Sequence, residues 1–354
     1  GCEQTDMEDP TIDLNNTNKN FVSINLKNEE GMKFMKKLLA DADIFVNNLR
    51  DKALNKMGLD YETLHKEFPT LIWAQMRGYG EYGPEKDSPG FDAVCWAARG
   101  GVANVFREDG ESPAIAPQAF GDYNVGHMLA TGIVSALFNR TRTGKGEKVV
   151  TNLYAGAIWG GNIGICATQF GAPYPKSRKH VPNPFNNTYR TYDDKWIYIC
   201  MPQYDKYYPM MMGLFGHEDQ IENPDTNNLT SLKASGKNVE VIDWLEKAFA
   251  KKTFDEWMAI FKENEVPAQK CFRYTDVVKD EEAYDNDALR MVEYEAYGKR
   301  ALPMTPVRFG SYGDPPVVLS KPIGYHTAEF MHDYGYSDEE IAKIAEDGGV
   351  VVYD

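Results

Sequence analysis

The sequence predicts an α/β protein: an open, mostly parallel sheet flanked by helices in a large lobe, with a smaller α+β lobe beside it. Three observations carry this. Strand-like and helix-like patterns alternate between Phe21 and Met76, the order expected of a parallel sheet covered by helices. A long apolar helix pattern runs from Val125 to Leu137. Beyond Arg178 the texture changes to a hairpin followed by charge-rich helices. A length of 354 residues suits two lobes better than one.

Phe21 to Leu26 alternates like a strand, with Phe21, Ser23 and Asn25 on one side and Val22, Ile24 and Leu26 on the other. Glu29 to Ala42 has helical spacing through Met32, Met35, Leu38 and Leu39. Ile44 to Val46 reads as a short buried strand. Asp60 opens a helix that Pro69 ends, and Leu71 to Met76 forms the next strand. Ligands of such sheets bind beyond the carboxyl ends of the strands, which points to the loops after Val46 and Met76. Val125, Met128, Leu129, Gly132, Ile133, Ala136 and Leu137 define a core helix with Asp122 just before it. Thr143-Gly144-Lys145-Gly146 reads as a tight turn and Val149 to Leu153 as a further buried segment. The apolar stretch Ala155 to Ala172 reads as a packed core helix, because Asn162, Thr168, Gln169 and its glycines do not suit a membrane span.

Pro182-Asn183-Pro184 marks a linker, and Thr188–Tyr192 pairs with Trp196–Cys200 around Asp193-Asp194. Thr253-Phe254-Asp255-Glu256 is a capping box. Pro303 and Pro306 mark a return, and Ser337 to Glu346 makes a polar helix. The expected organisation is a large lobe over 1–180, a small lobe over 181–300, and 301–354 returning to the large lobe.

A net charge of −15 argues against nucleic acid or an anionic membrane as a general partner. The five cysteines, Cys2, Cys95, Cys166, Cys200 and Cys271, are scattered without a Cys-x-x-Cys pair. That suits a reducing cytoplasm, and the acidic Gly1–Asp13 stretch has no signal-peptide core. Six histidines show no metal-ligand spacing, so no bound metal is expected. A serine-nucleophile elbow, a full Walker pattern and a Gly-x-Gly-x-x-Gly dinucleotide fingerprint are all missing.

One carboxylate stands out. Gly121-Asp122-Tyr123-Asn124-Val125-Gly126 places Asp122 at the start of the apolar helix. There it reads either as a helix N-cap or as a nucleophile next to backbone donors that stabilise an oxyanion.

The surrounding strings decide between the two. Asn18-Lys19-Asn20, Ser23-Ile24-Asn25-Leu26-Lys27 and Asp43-Ile44-Phe45-Val46-Asn47-Asn48 occur in order. Met57-Gly58-Leu59-Asp60-Tyr61, Gly78-Tyr79-Gly80-Glu81-Tyr82-Gly83-Pro84 and Pro89-Gly90-Phe91-Asp92 follow, then Gly121-Asp122 through Gly144-Lys145-Gly146. Pro182-Asn183-Pro184-Phe185, Val266-Pro267 and Gly324-Tyr325-His326-Thr327 complete the pattern. Together these resemble the class III CoA-transferases, the formyl-CoA and carnitine CoA-transferase family. Pro173-Tyr174-Pro175 through Tyr189 resembles the fermentative 2-hydroxyacid branch, acting on phenyllactate or 2-hydroxyisocaproate. The glycine-rich loop of formyl-CoA transferases has no counterpart.

The resemblance implies a Rossmann-like large lobe, an interlocked homodimer, and transfer of CoA from an acyl-CoA to a carboxylic acid such as an (R)-2-hydroxy acid. It makes Asp122 the catalytic residue, forming an aspartyl-CoA thioester. It places coenzyme A, as co-substrate, on Lys27, Asn48, Leu49, Arg50, Ala53, Lys56 and Met57. Lys27, Arg50 and Lys56 would pair with phosphates, and Leu49 and Met57 would cover the adenine. Singly, each lysine also fits a solvated charge. Trp96, Phe106, Phe120, Tyr123 and Trp159 read either as an apolar acyl pocket or as core.

The family's opening strand–helix–strand unit is apparently missing, because only Gly1–Asn15 precedes the Asn18 region. Two other readings stand beside the transferase. An α-methylacyl-CoA racemase-like isomerase needs a second proton carrier, where this chain has Phe91. A non-catalytic CoA-binding subunit would have no use for the Gly121-Asp122 string.

Overall fold

The computed structural model describes residues 10–311, 313 and 316–353. Cys2 and the stretch before Pro10 lie outside them. The chain divides into two compact units. One comprises the residues up to Cys95, Ala119–Gly156 and the residues from Thr275 onward; the other comprises Trp96–Gln118 and Ala157–Tyr274.

The chain opens with α1 (Pro10–Asn16), β1 (Ser23–Ile24) and α2 (Glu29–Asp41). The Asn28 side chain caps α2, accepting the N–H of Glu30 at 2.9 Å and of Gly31 at 3.1 Å. Next come β2 (Ile44–Asn47), α3 (Asp51–Met57), α4 (Tyr61–Glu67) and β3 (Ile72–Arg77). Asp60 caps α4 through Thr63 N–H at 3.0 Å. Leu39, Leu54, Leu59, Leu64, Leu71 and Trp73 bury together, with the Trp73 indole N–H donating to the Leu59 carbonyl at 2.9 Å. A short helix α5 (Val102–Val105) precedes α6 (Phe120–Thr143), β4 (Lys148–Asn152), α7 (Leu153–Gly160) and α8 (Asn162–Thr168).

β2, β3 and β4 form a parallel three-stranded sheet in the order β2-β3-β4, so the chain is a mixed α/β protein with a parallel sheet. Gly144 ends α6 in the left-handed region. At Gly146 the turn passes so close to β3 that a Cβ would lie 2.1 Å from the Leu71 carbonyl oxygen. The Thr143–Gly146 turn therefore works by backbone proximity.

In the second unit, β5 (Asn186–Arg190) and β6 (Trp196–Cys200) form the expected hairpin. Its sheet gains β7 (Ala268–Lys270), and α9 (Tyr204–Phe215), α10 (Leu229–Ser235), α11 (Asn238–Phe249) and α12 (Phe254–Glu263) belong to the same unit. Tyr189, Ile197, Ile199, Phe249 and Trp257 anchor a dense core. Thr253 and Glu256 form the capping box. Asp193 accepts the Thr191 hydroxyl at 2.7 Å and the Phe254 N–H at 2.9 Å, tying the hairpin turn to α12. Those donors hold its carboxyl down at about 2.

The first unit resumes at Thr275, within α13 (Tyr274–Val277), and continues through α14 (Glu281–Asp285) into a hairpin of β8 (Leu289–Tyr294) and β9 (Gly298–Pro303). Then α15 (Thr327–Asp333), α16 (Asp338–Glu346) and β10 (Val350–Val351) follow.

Two expectations are corrected. The Phe21–Leu26 strand shortens to β1, which pairs antiparallel with β10 and stays outside the parallel sheet. The C-terminal segment captures it: Asn25 N–H bonds the Gly349 carbonyl at 2.8 Å and the Asn25 side chain bonds the Gly348 carbonyl at 2.9 Å. The Ala155–Ala172 stretch is no single core helix, since it breaks at Gly160-Gly161 into α7 and α8. Trp159, Ile163 and Phe170 on it are exposed. On α6 the expected inward face holds: Val125, Leu129 and Ala136 are buried and Met128, Gly132, Ile133 and Leu137 half-buried, while Val134 and Phe138, outside that pattern, face outward. Cys95, Cys166, Cys200 and Cys271 form no disulfide among the described residues. Among the same residues no helix is long and apolar enough to cross a membrane.

Candidate active site

The loop after β3 turns back on itself. Gly78 and Gly90 cross so tightly that a Cβ on Gly78 would sit 2.9 Å from the Gly90 Cα, and one on Gly90 would sit 2.8 Å from the Gly78 Cα. This crossing sets Asp92 against the start of α6. Asp92 Oδ2 accepts the buried Gly121 N–H at 3.2 Å.

Asp122 occupies the first turn of α6, two residues inside its start, rather than the capping position expected from sequence. Ala119 takes the N-cap position in the left-handed region, at φ 57° and ψ 16°, and no side chain caps the helix from there. The Asp92 bond satisfies one of the amides that a helix start leaves unpaired. The Gly121 N–H is thereby committed to Asp92.

Partial desolvation and the nearby Asp92 charge push the Asp122 carboxyl above its usual range. A helix start alone would lower it, so burial and like charge outweigh the dipole here. Asp122 lines a cavity of about 550 Å³ together with Tyr123, Gly126, His127 and Ala130 of α6, Asn15 and Thr305. His127 Nδ1 lies 2.7 Å from the Tyr123 carbonyl oxygen. A carbonyl can only accept, so Nδ1 carries the proton in this contact. Of the five aromatics read as a possible acyl pocket, Tyr123 lines this cavity, Trp96 is buried, and Phe106, Phe120 and Trp159 are exposed. Phe91 is exposed.

The expected CoA loop follows β2. Asn47 bridges it to β3, donating to the Ala74 carbonyl at 3.3 Å and accepting the Leu49 N–H at 3.3 Å. The Gln75 amide donates to the Leu49 carbonyl at 2.7 Å. Arg77, nearly buried, donates twice to Asp51, at 2.6 Å and 3.0 Å, and pins the start of α3. That guanidinium holds the Asp51 carboxyl below its ordinary value.

Asn48, Leu49, Arg50 and Lys56 are exposed on this loop and helix, while Ala53 and Met57 are half-buried one turn apart. Lys27 is exposed, and its neighbour Leu26 packs on the same apolar cluster as Met57. Among the described residues no carboxylate lies within ion-pair distance of Lys27, Arg50 or Lys56. The structure thus gathers six of the seven expected positions on one loop-and-helix segment beyond β2. Sequence reasoning missed Asp92. Its signal was present in Pro89-Gly90-Phe91-Asp92, a motif that follows a strand at its carboxyl end.

A parallel sheet with loops beyond its strand ends, and a cavity-lining carboxylate in the first turn of a helix, are compatible with covalent group transfer. The model of CoA-transferase family III matches residues 2–327, and the chain belongs to that family. It is 39% identical over 348 residues to the cinnamoyl-CoA:phenyllactate CoA-transferase of Clostridium sporogenes, covering 98% of this chain and 84% of that protein. It is 38% identical over 349 residues to the (R)-2-hydroxy-4-methylpentanoate CoA-transferase of Clostridioides difficile, covering 99% and 87%. The crystal structure of Rv3272 from M. tuberculosis superposes with a TM-score of 0.76 at 27% identity, over 89% of this chain and 84% of that one.

Proposed function

We propose that this chain moves CoA from an acyl-CoA to a 2-hydroxy acid, with Asp122 as the nucleophile. The observation that carries this is the Asp122 carboxylate itself, set in the first turn of α6, lining a cavity and made more basic by burial and Asp92. A carboxylate oxygen of Asp122 attacks the donor thioester carbonyl. The C–S bond breaks, and CoA thiolate leaves with the electron pair, giving a mixed anhydride. The thiolate then attacks the Asp122 carbonyl carbon, and the donor acid leaves as a carboxylate. The incoming acid reverses both steps. No proton is transferred in either exchange.

Two relatives named for 2-hydroxy acids support the acceptor class. The CoA nucleotide is assigned to Asn48, Leu49, Arg50, Ala53, Lys56, Met57 and Lys27, where three cations stand without carboxylate partners among the described residues. A homodimer is part of the same reading: Val134 and Phe138 form an outward apolar pair one turn apart on α6, and a second copy covers such a face.

The test is intact-mass and peptide mapping after incubation with a short acyl-CoA and hydroxylamine, for the wild type and Asp122→Ala. A hydroxamate on the Asp122 peptide, absent from the variant, is expected. A wild-type enzyme that turns over without label there overturns the mechanism. Sedimentation equilibrium of the wild type reads the dimer directly.

A further inference from the structure

The buried carboxylate of Asp92 has no evident structural need for its charge. Its side chain is almost fully enclosed, with 8% of the residue exposed. Oδ2 takes the Gly121 N–H, while Oδ1 is buried without a hydrogen-bond partner among the described residues. No Lys, Arg or His lies within ion-pair distance of it among those residues. Capping an amide needs only a neutral oxygen, which an Asn or Ser side chain supplies equally well. A buried charge without a counterion is unfavourable. The Gly78–Gly90 crossing packs the backbone closely just ahead of Asp92.

We propose that Asp92 is a positioning residue for the transfer reaction: it holds the first turn of α6 through Gly121 and sets its negative charge against Asp122, so that acylation of Asp122 relieves the repulsion. This rests on Asp122 as nucleophile. While Asp122 is a free carboxylate, its charge sits next to the residue that Asp92 holds, at the same partly desolvated helix start. When its oxygen bonds the acyl carbon, that charge passes to the departing thiolate, and Asp122 is neutral as anhydride and as thioester. The resting state is thus raised relative to the loaded states, and the carboxylate stays a stronger nucleophile than one at an ordinary helix start. The other titratable groups at the cavity are Tyr123 and His127, both from α6. Asn15 and Thr305, the contributions of other segments, do not titrate.

The experiment compares the wild type with Asp92→Asn, which keeps the acceptor for Gly121 and removes the charge, and with Asp92→Ser as a second neutral acceptor. Steady-state kinetics against pH are run beside hydroxylamine trapping at Asp122. In both variants kcat is expected to fall about three- to tenfold, with KM for the acyl-CoA within about twofold of wild type. The acid limb of kcat moves to lower pH. Neutral variants with wild-type kcat and an unmoved limb overturn the proposal and leave Asp92 a cap. If the Asp92→Asn variant fails to fold, the Asp92→Ser variant is judged by the same criteria. Wild-type enzyme without label at Asp122 instead overturns the nucleophile and this inference together, whereas labelled wild type with unchanged variants overturns this inference alone.

Discussion

Arg77 and Asp51 are joined by two hydrogen bonds, at 2.6 Å and 3.0 Å, that fasten the last residue of β3 to the first residue of α3. Arg77 is nearly buried and Asp51 half-exposed. The pair matters because α3 carries Ala53, Lys56 and Met57 of the proposed CoA site. Asp51→Asn leaves a buried guanidinium short of its counter-charge and is expected to cost about 1–3 kcal/mol. KM for the acyl-CoA rises with it, which thermal melts and steady-state kinetics check. The pH sense follows from the lowered carboxyl of Asp51. Its stabilisation is present above the ordinary carboxylate range and disappears as pH falls through the depressed folded value.

Asp122 behaves oppositely, because its carboxyl is raised. In the proposed mechanism the nucleophile is the anion, so turnover is expected to decline as pH falls through a range above that of ordinary carboxylates. Asp122→Asn lowers kcat by about a thousandfold or more. The same variant melts slightly higher than wild type at neutral pH, because it removes a desolvated charge facing Asp92. A kcat–pH profile and a melting curve test both halves.

In the proposed CoA site the three cations hold phosphate and take no part in chemistry. Lys27→Ala, Arg50→Ala and Lys56→Ala are each expected to raise KM for the acyl-CoA about three- to tenfold and leave kcat near wild type. The effect shrinks as salt is added, since these side chains are exposed. An unchanged KM in all three variants removes the phosphate assignment.

His326 and Thr327 clamp the segment entering β1. His326 Nδ1 accepts the Phe21 N–H at 2.9 Å, and the Thr327 hydroxyl oxygen accepts the Ser23 N–H at 2.9 Å. Thr327 is fully buried. Thr327→Val keeps the shape but strands a backbone donor, so a loss of about 1–3 kcal/mol is expected in denaturant unfolding. A loss near zero would show that solvent reaches the Ser23 amide.

Local pattern decided much of this protein. The spacing of Met32, Met35, Leu38 and Leu39, with Asn28 ahead, specifies α2. Asp60 and Pro69 bracket α4, and the Thr253 and Ser337 capping boxes start α12 and α16. These are properties of neighbouring residues, so the chain spells them out, and the ordered motifs were enough to read the family. Tertiary structure alone decided the rest. The pairing of β1 with β10 joins residues more than three hundred positions apart, and no local pattern encodes a partner that remote. The break of Ala155–Ala172 and its exposed apolar side chains depend on what packs against them. The environment of Asp122 depends on a bond between residues 29 positions apart and on two glycine backbones crossing, which brings the buried Asp92 carboxylate to the start of its helix. Sequence marked the proposed nucleophile, but only the folded chain determines what its carboxylate meets, because charges interact through space.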